Sequence, residues 1–407
     1  MTVLDELPMA AGWVEVPLRA VAIKVSEPGY GHLQPLSVYL EAGVVPRSSR
    51  DDNHNQLGEN IEKYQRVLPD DLVFNKLRTW QGGFGISRNE GIVSPAYIIA
   101  RPITGAIHPR FLGYLLKSAP YLAELTRLSK WMPPSQFDIS WESIRDLRLR
   151  MPAIDEQRRI ADYLDSELVK ITRLGDLLKQ QVVKIDEVFT SAINESILSA
   201  DQSNLTYFRY LVTESNTRAN GQPDLPLLSV SKHRGIIPRS ELMEDQGRAE
   251  SLDNYKVCEI GDIVVNRMSA SSGALGLSAV RGVVSPDYSV LKPSRLADPQ
   301  YLEMLMKSPW FISQMVMRLR GIGGIGGEAS VRTPRVSIAD LGDVRVQLPS
   351  QIDQKKLALK FSIAHEKTQI LLAQLDEALG LASQLRVSIV TAAVTGTFDV
   401  TTGRSVT

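Results

Sequence analysis

The sequence predicts a mixed α/β (α+β) fold made of two homologous globular halves, each followed by one long helix. Three observations predict it. The phrase "GIVSPAY" at residues 91–97 returns as "GVVSPDY" at 282–288, and its flanks return with it. Residues 153–200 carry apolar side chains at helical spacing, with no proline and a single glycine, Gly175. The same texture comes back after Pro349.

The copies lie 191 residues apart across their centre, where "DLVFNKL" (71–77) faces "DIVVNRM" (262–268) and Gly82 and Gly85 face Gly273 and Gly276. The offset is 192 upstream, where "GVVPRS" (43–48) faces "GIIPRS" (235–240), and 190 downstream, where "FLGYLLKS" (111–118) faces "YLEMLMKS" (301–308). It reaches 197 at "DLRLRMP" (146–152) and "DVRVQLP" (343–349). A nearly constant offset with small insertions is an internal duplication, and its period is long enough for each copy to be a domain.

Within each copy, "DLVFNKL" and "GIVSPAYIIA" read as strands, being rich in β-branched and aromatic residues, with turn chemistry in "PDDL" and "QGGFG" between them. Ser94 and Ser285 precede prolines outside any G-x-S-x-G setting, so they read as turn caps at a sheet edge. "FLGYLLKSAPYLAELTRL" reads as a helix broken near Pro120, and its copy carries Pro309. "LRLRMP" and "VRVQLP" alternate as closing strands.

In the first long helix, Ile160, Leu164, Leu168, Ile171, Leu174, Leu178, Val182, Ile185, Phe189 and Ile193 recur every three or four residues, close to a heptad seam. Asp155 fits as its N-cap. About 43 helical residues would span roughly 65 Å at ~1.5 Å each. The second helix reads from Asp353 to about Ala393, with Leu357, Phe361, Ala364, Leu371, Leu375, Leu379, Ala382, Leu385 and Ile389 on its apolar face, a weak point at Gly380 and an end before Gly396. A one-faced apolar helix must bury that face. The other copy's helix is the evident partner, so the two are expected to pair as an antiparallel coiled coil about a pseudo-twofold axis.

Composition narrows the function. With 46 basic and 46 acidic residues the formal charge is zero, which weighs against a non-specific nucleic-acid binder but leaves room for a specific one. The single cysteine, Cys258, excludes a disulfide framework and suits a reducing cytoplasm, where it reads as a small inert core residue. No uninterrupted apolar run approaches ~18 residues, so no membrane span is expected. The acidic start "MTVLDELPMAAGW", without an apolar run, does not read as a signal peptide, and none is expected.

Catalytic constellations are missing from the sequence. There is no G-x-x-x-x-G-K-[ST] loop, no H-E-x-x-H and no paired Cys/His spacing, so no metal site is written here. "WMPPSQF" (131–137) differs from the Asn-Pro-Pro-aromatic motif of amino-methyltransferases by Met132 in place of the asparagine that would hold the target amine, and no glycine-rich cofactor loop precedes it. None of the Pro-Asp pairs is followed at a suitable distance by the Glu-x-Lys or Asp-x-Lys of a nuclease. The run "GIGGIGG" (321–327) fits a flexible surface loop, and its main chain could also approach phosphates closely.

Two divergent halves, each followed by a Pro-x-x-(Asp/Glu)-Gln-type helix start, resemble the DNA-specificity (S) subunits of type I restriction–modification systems. The residues that carry the likeness are "MPAIDEQRRIADYL" (151–164), "LPSQIDQKKLALKF" (348–361), "AAVTGTFDV" (392–400) and "GDIVVNRM…GVVSPDY" with its first-half equivalent. The likeness spans essentially the whole chain. It departs from the family's usual acidic-Gln pattern at Ser350-Gln351-Ile352-Asp353-Gln354, which bears on the docking surface there.

The resemblance implies a non-catalytic subunit of a cytoplasmic bacterial or archaeal defence complex against foreign DNA. Residues 1–152 and 201–349 would be target-recognition domains, each reading one part of a split double-stranded DNA target. Residues 153–200 and 350–400 would be helical spacers that set the gap, and 401–407 a tail. Two modification subunits would add adenine methylation from S-adenosylmethionine; restriction/translocase subunits would bring ATP- and Mg-dependent cleavage. No cofactor, metal or membrane is expected for this chain.

Residues equivalent in both halves, Arg47/Arg239 and Lys76/Arg267, are candidates for phosphate contact, with fold maintenance as the alternative. Base readers should differ between halves, which selects Arg78, Trp80 and Gln81 against Ser269, Ser271 and Ser272, and "SRDDNHNQ" (49–56) against "ELMEDQGR" (241–248). The coiled-coil and partner interface is expected at Ile160, Leu164, Leu168, Ile171, Leu178, Val182, Ile185, Phe189, Leu357, Phe361, Leu371, Leu375, Leu385 and Ile389. Two rival readings remain: a self-contained restriction–modification enzyme, which needs motifs the chain lacks, and a coiled-coil scaffold whose globular halves bind proteins.

Overall fold

The computed structural model describes residues 3–40, 42–49, 60–132, 136–199, 204–220, 225–231, 235–241, 252–320 and 335–405. Short β-branched runs form one four-stranded antiparallel sheet per copy. In the first, Ala22–Val25, Tyr97–Pro102, Leu72–Asn75 and Phe84–Ile86 lie side by side in that order. In the second the order is Val212–Ser215, Tyr288–Pro293, Ile263–Asn266 and Leu275–Leu277. The register is copied too: Val73 faces Ile99, and Val264 faces Val290. Among the described residues every strand ladder is antiparallel, with isolated parallel bridges at Pro35–Ile92, Val44–Ser87 and Leu227–Val283. The alternating closing strands Arg148–Met151 and Arg345–Gln347 pair with Val14–Pro17 and Leu205–Tyr207.

The repeated heptapeptide is not one strand, as its composition suggests, but two. Gly91–Val93 and Gly282–Val284 end at a serine turn, and Tyr97 and Tyr288 open the next strand. Ser94 Oγ accepts the Ala96 N–H at 3.3 Å, and Ser285 Oγ accepts the Asp287 N–H at 3.3 Å. These serines cap the turn as expected. The leading glycine is required sterically. A Cβ on Gly91 would stand 2.5 Å from the Gln34 carbonyl oxygen, and one on Gly282 would stand 2.6 Å from that of Pro226.

The helices of the described residues are α1 (Pro109–Lys117), α2 (Ala119–Leu128), α3 (Trp141–Ile144), α4 (Ile154–Leu198), α5 (Pro299–Lys307), α6 (Pro309–Met317), α7 (Ile338–Leu341) and α8 (Gln351–Thr395). The break between α1 and α2 falls at Ser118 and that between α5 and α6 at Ser308, both extended, with a proline in the turn that follows. Asp155 lies inside the first turn of α4 and pairs with Arg158; it is not the cap, because the helix already begins at Ile154. At α8, Ser350 Oγ accepts the Asp353 N–H and donates to Asp353 Oδ2, so α8 starts two residues before the expected Asp353. Both long helices run through their glycines, Gly175 and Gly380.

Each long helix is fastened to its own half by one buried glutamine. Gln157 Oε1 accepts the His108 N–H at 2.8 Å while its Nε2 donates to the Pro152 carbonyl at 2.8 Å. Gln354 does the same with the Asp298 N–H at 2.7 Å and the Pro349 carbonyl at 2.9 Å. The unusual residues before Gln354 leave this anchor unchanged.

The chain divides into two compact units, Met1–Leu177 with Ala378–Thr407, and Leu178–Glu377. In the first, Phe74, Phe84, Phe111 and Leu115 pack with Ile160, Ala161 and Leu164 of α4 and Ala393 and Val394 of α8. In the second, Phe208, Tyr301 and Phe311 pack with Ile193 and Ile197 of α4 and Ala358 and Phe361 of α8. Each unit therefore joins the near end of one long helix to the far end of the other. Phe189 meets Phe361 at 5.7 Å, and Tyr163 meets Phe398 at 5.8 Å between ring centroids.

Most residues of the expected seam are shielded from solvent. Leu168, Ile171, Leu178, Val182, Ile185, Leu357, Leu375 and Ile389 are half-buried. Three residues leave it: Leu174, Leu371 and Leu385 are 47, 47 and 51% exposed. Ala382 is buried as expected, and Thr368, which the apolar spacing passed over, is buried on α8 as well. The reason is that α8 is apolar on several faces, as at Ile370-Leu371-Leu372, so spacing does not single out one register. An 18-residue window of α8 reaches a mean hydropathy of 1.4, apolar enough by length and composition to cross a membrane, where counting uninterrupted apolar residues had predicted no such segment. Ser, Thr, Gln, Gly380 and Arg386 interrupt the run, but the apolar residues between them keep the average high.

Candidate nucleic-acid interface

The strand pair at the centre of each sheet is joined by one loop shape, made twice. Asn75 N–H donates to the Gly83 carbonyl at 2.9 Å, and Asn266 N–H to that of Ala274 at 3.0 Å. Each asparagine Oδ1 then accepts the main-chain N–H two residues on, Leu77 or Met268, both at 3.2 Å. A 3-10 turn follows, Thr79–Gln81 or Ala270–Ser272. It is closed by a left-handed glycine: Gly82 at φ 86°, ψ 17° and Gly273 at φ 86°, ψ 14°.

On this shared main chain the inward residues, Thr79 and Ala270, are buried, and the outward ones differ. Arg78 and Gln81 are exposed in the first loop. Trp80 is half-buried, its Nε1 donating to the Leu77 carbonyl at 3.2 Å. In the second loop Ser269 and Ser271 are half-buried and Ser272 is exposed, its Oγ donating to the Ser269 carbonyl at 2.8 Å. One loop offers a guanidinium, an indole and an amide; the other offers three small hydroxyls.

Arg47 and Arg239 follow the hairpin strands Gly43–Pro46 and Gly235–Pro238, and their N–H groups donate to the Pro35 and Leu227 carbonyls at 2.9 and 2.8 Å. Tyr97 faces Asn75 across the sheet, and Tyr288 faces Asn266. Burial raises both phenol pKa values, and the positive charges of Arg47 and Arg239 act against it. Arginine, tyrosine and loop thus gather at one end of each sheet. Composition did not select the tyrosines; their signal in the sequence was the last letter of the repeated heptapeptide.

The equivalent cations are used differently. Arg267 Nε donates to the Val336 carbonyl at 3.1 Å, and its own carbonyl accepts the Val336 N–H at 2.9 Å, so this half-exposed side chain is engaged with the fold through one of its nitrogens. Lys76 is half-exposed and makes no ion pair among the described residues. The candidate readers at 50–56 and 242–248, the glycine run 321–327 and Pro133–Ser135 lie outside the described residues.

No family model and no curated protein matches the chain. Solved structures do. A chain from a type I restriction–modification system, studied for its complex assembly and conformational transition, superimposes with a TM-score of 0.70 at 13% identity, over 96% of this chain and 98% of that one. The HsdS subunit from Thermoanaerobacter tengcongensis superimposes with a TM-score of 0.55 at 14% identity, over 96% and 98%. The chain has the fold of the S subunit of type I restriction–modification systems.

Proposed function

We propose that this chain is the non-catalytic DNA-specificity subunit of a type I restriction–modification complex. The observation that carries the reading is the loop made twice: one main-chain frame, at the same end of two like sheets, bearing different outward side chains. A split DNA target asks for that design, because phosphate-positioning geometry is shared while base-reading groups must differ. Residues 1–152 and 201–349 are assigned to the two recognition domains. Arg47, Lys76, Arg78, Trp80 and Gln81 are assigned to the first DNA face, and Arg239, Ser269, Ser271 and Ser272 to the second.

Partners supply the chemistry in this reading. Two modification subunits, using S-adenosylmethionine, dock on the long helices, and restriction subunits using ATP and Mg complete a cytoplasmic complex. Support comes from the apolar residues left exposed on those helices, including Val183 and Val188 on α4 and Ile352, Leu359, Leu371 and Leu385 on α8. The test is modified-base sequencing of DNA from a methylation-free host expressing this chain with the methyltransferase encoded beside it. Methyladenine in both parts of one split motif is the expected result. A soluble complex that modifies nothing would defeat the proposal.

A further inference from the structure

We infer that the first unit carries a second recognition surface, a cationic trough that receives an acidic, partly apolar segment of a partner protein. The trough has a volume of about 890 Å³ and lies between the hairpin at Gly43–Val45, the turn at Arg88–Asn89, α1 and α4. It stands at the end of the sheet opposite the Asn75–Gly83 loop. Asp70 and Arg88 flank the outer ends of strands Leu72–Asn75 and Phe84–Ile86, and the loop joins their other ends. The trough is therefore separate from the candidate DNA face.

Its charge is not balanced internally. Arg88, Lys117, Arg173 and Arg386 line it, and none of them makes an ion pair among the described residues. Arg110 is different, being tied to Asp162 and Asp165. Lys117 Nζ donates to the Leu40 carbonyl at 3.3 Å, and burial together with the nearby Arg386 lowers its pKa. Asp70 and Asp176 are the other carboxylates of the lining, so positive charge is in surplus in a chain whose net charge is zero. Beside the cations lie Val44, Val45, Ile86, Leu168 and Val169. A phosphodiester backbone would leave these apolar surfaces uncovered. A peptide carrying both acidic and apolar side chains covers them and meets the cations.

The second copy lacks the device. Ala279 stands where the first has Arg88, Ile370 where it has Arg173, and Phe189 where it has Arg386. Lys307 replaces Lys117, but Glu303, at the position of Gly113, holds it at 2.8 Å. The trough thus takes one segment per chain, unlike a partner that docks on both copies. Its biological role rests on the reading that this chain works within a multi-protein complex.

Fluorescence anisotropy on the full chain tests the proposal with a labelled peptide of alternating glutamate and leucine. Saturable binding is expected, weakened about tenfold or more by Lys117→Gln/Arg386→Gln. The exposed pair Arg88→Glu/Arg173→Glu should turn the preference toward a lysine–leucine peptide. No binding at physiological salt, or equal binding by wild type and both variants, overturns the proposal. Displacement of the peptide by random duplex DNA, with DNA binding lost in the same variants, also overturns it and gives the trough to nucleic acid. Lys76→Gln/Arg78→Gln separates the two readings: it should weaken DNA binding and leave the peptide bound. A failure confined to the DNA titration counts against the specificity function and not against the trough.

Discussion

One aromatic pair lies under the closing strand of both halves, with its hydroxyl on opposite members. The first half has Phe111 and Tyr121; the second has Tyr301 and Phe311 at the equivalent places, and all four are buried. Tyr121 Oη accepts the Arg150 N–H at 2.9 Å, whereas Tyr301 Oη donates to the Gln347 carbonyl at 3.0 Å. Arg150 and Gln347 are themselves equivalent, so two different helices pin the same strand position. Burial raises both phenol pKa values, that of Tyr121 to about 12, so both remain neutral hydrogen-bonding groups near pH 7. Tyr121→Phe should destabilise the chain by about 1–2 kcal/mol, since it strands a main-chain donor in the core. Phe111→Tyr/Tyr121→Phe should recover part of that loss, because the second half uses a tyrosine at that place. Urea denaturation of the two singles and the double decides it. Strictly additive losses would mean the two positions do not share the strand.

At the scale of elements, the long helices are held by side chain to main chain contacts that no local rule reveals. Gln157→Ala removes the partner of the His108 N–H and of the Pro152 carbonyl, and should cost about 2 kcal/mol. Amide exchange at His108 should quicken accordingly, and an unchanged rate would show the bond to be dispensable. The spacing of Ile160, Leu164 and their successors revealed both long helices because a 3.6-residue period is a local property. The break in "GIVSPAYIIA" is a local serine turn that strand propensity masks, and α4 begins one residue ahead of the expected cap at Asp155. Leu174, Leu371 and Leu385 were read as covered because which apolar face of a helix is buried depends on contacts distant in sequence, which spacing does not show. The loop residues Arg78, Gln81 and Ser272 were legible because divergence on a repeated frame is visible in the letters alone. That Arg267 is engaged by Val336, 69 residues away, was not.

At the scale of the whole molecule, the duplicated halves and the compact units do not coincide. The first unit is completed by Ala378–Thr407, where Gly396, at φ 75°, lies so close to Trp13 and Ala10 that a Cβ there would stand 2.5 Å from the Ala10 Cβ. Residues 1–152 therefore fold against two helix segments they do not contain. An exchange of that region for the same region of a relative succeeds only if the junction survives. The junction favours it, because Gln157 holds the main-chain atoms of His108 and Pro152 and is indifferent to side chains there. A small residue at position 10 and a ring at position 13 should be retained for Gly396. Such a chimaera, expressed with the neighbouring methyltransferase, should methylate a motif changed in one part and unaltered in the other. Modified-base sequencing reads both parts at once. A change in both would mean that recognition is not divided between the copies, and the assignment of residues 1–152 to one part of the target would fall.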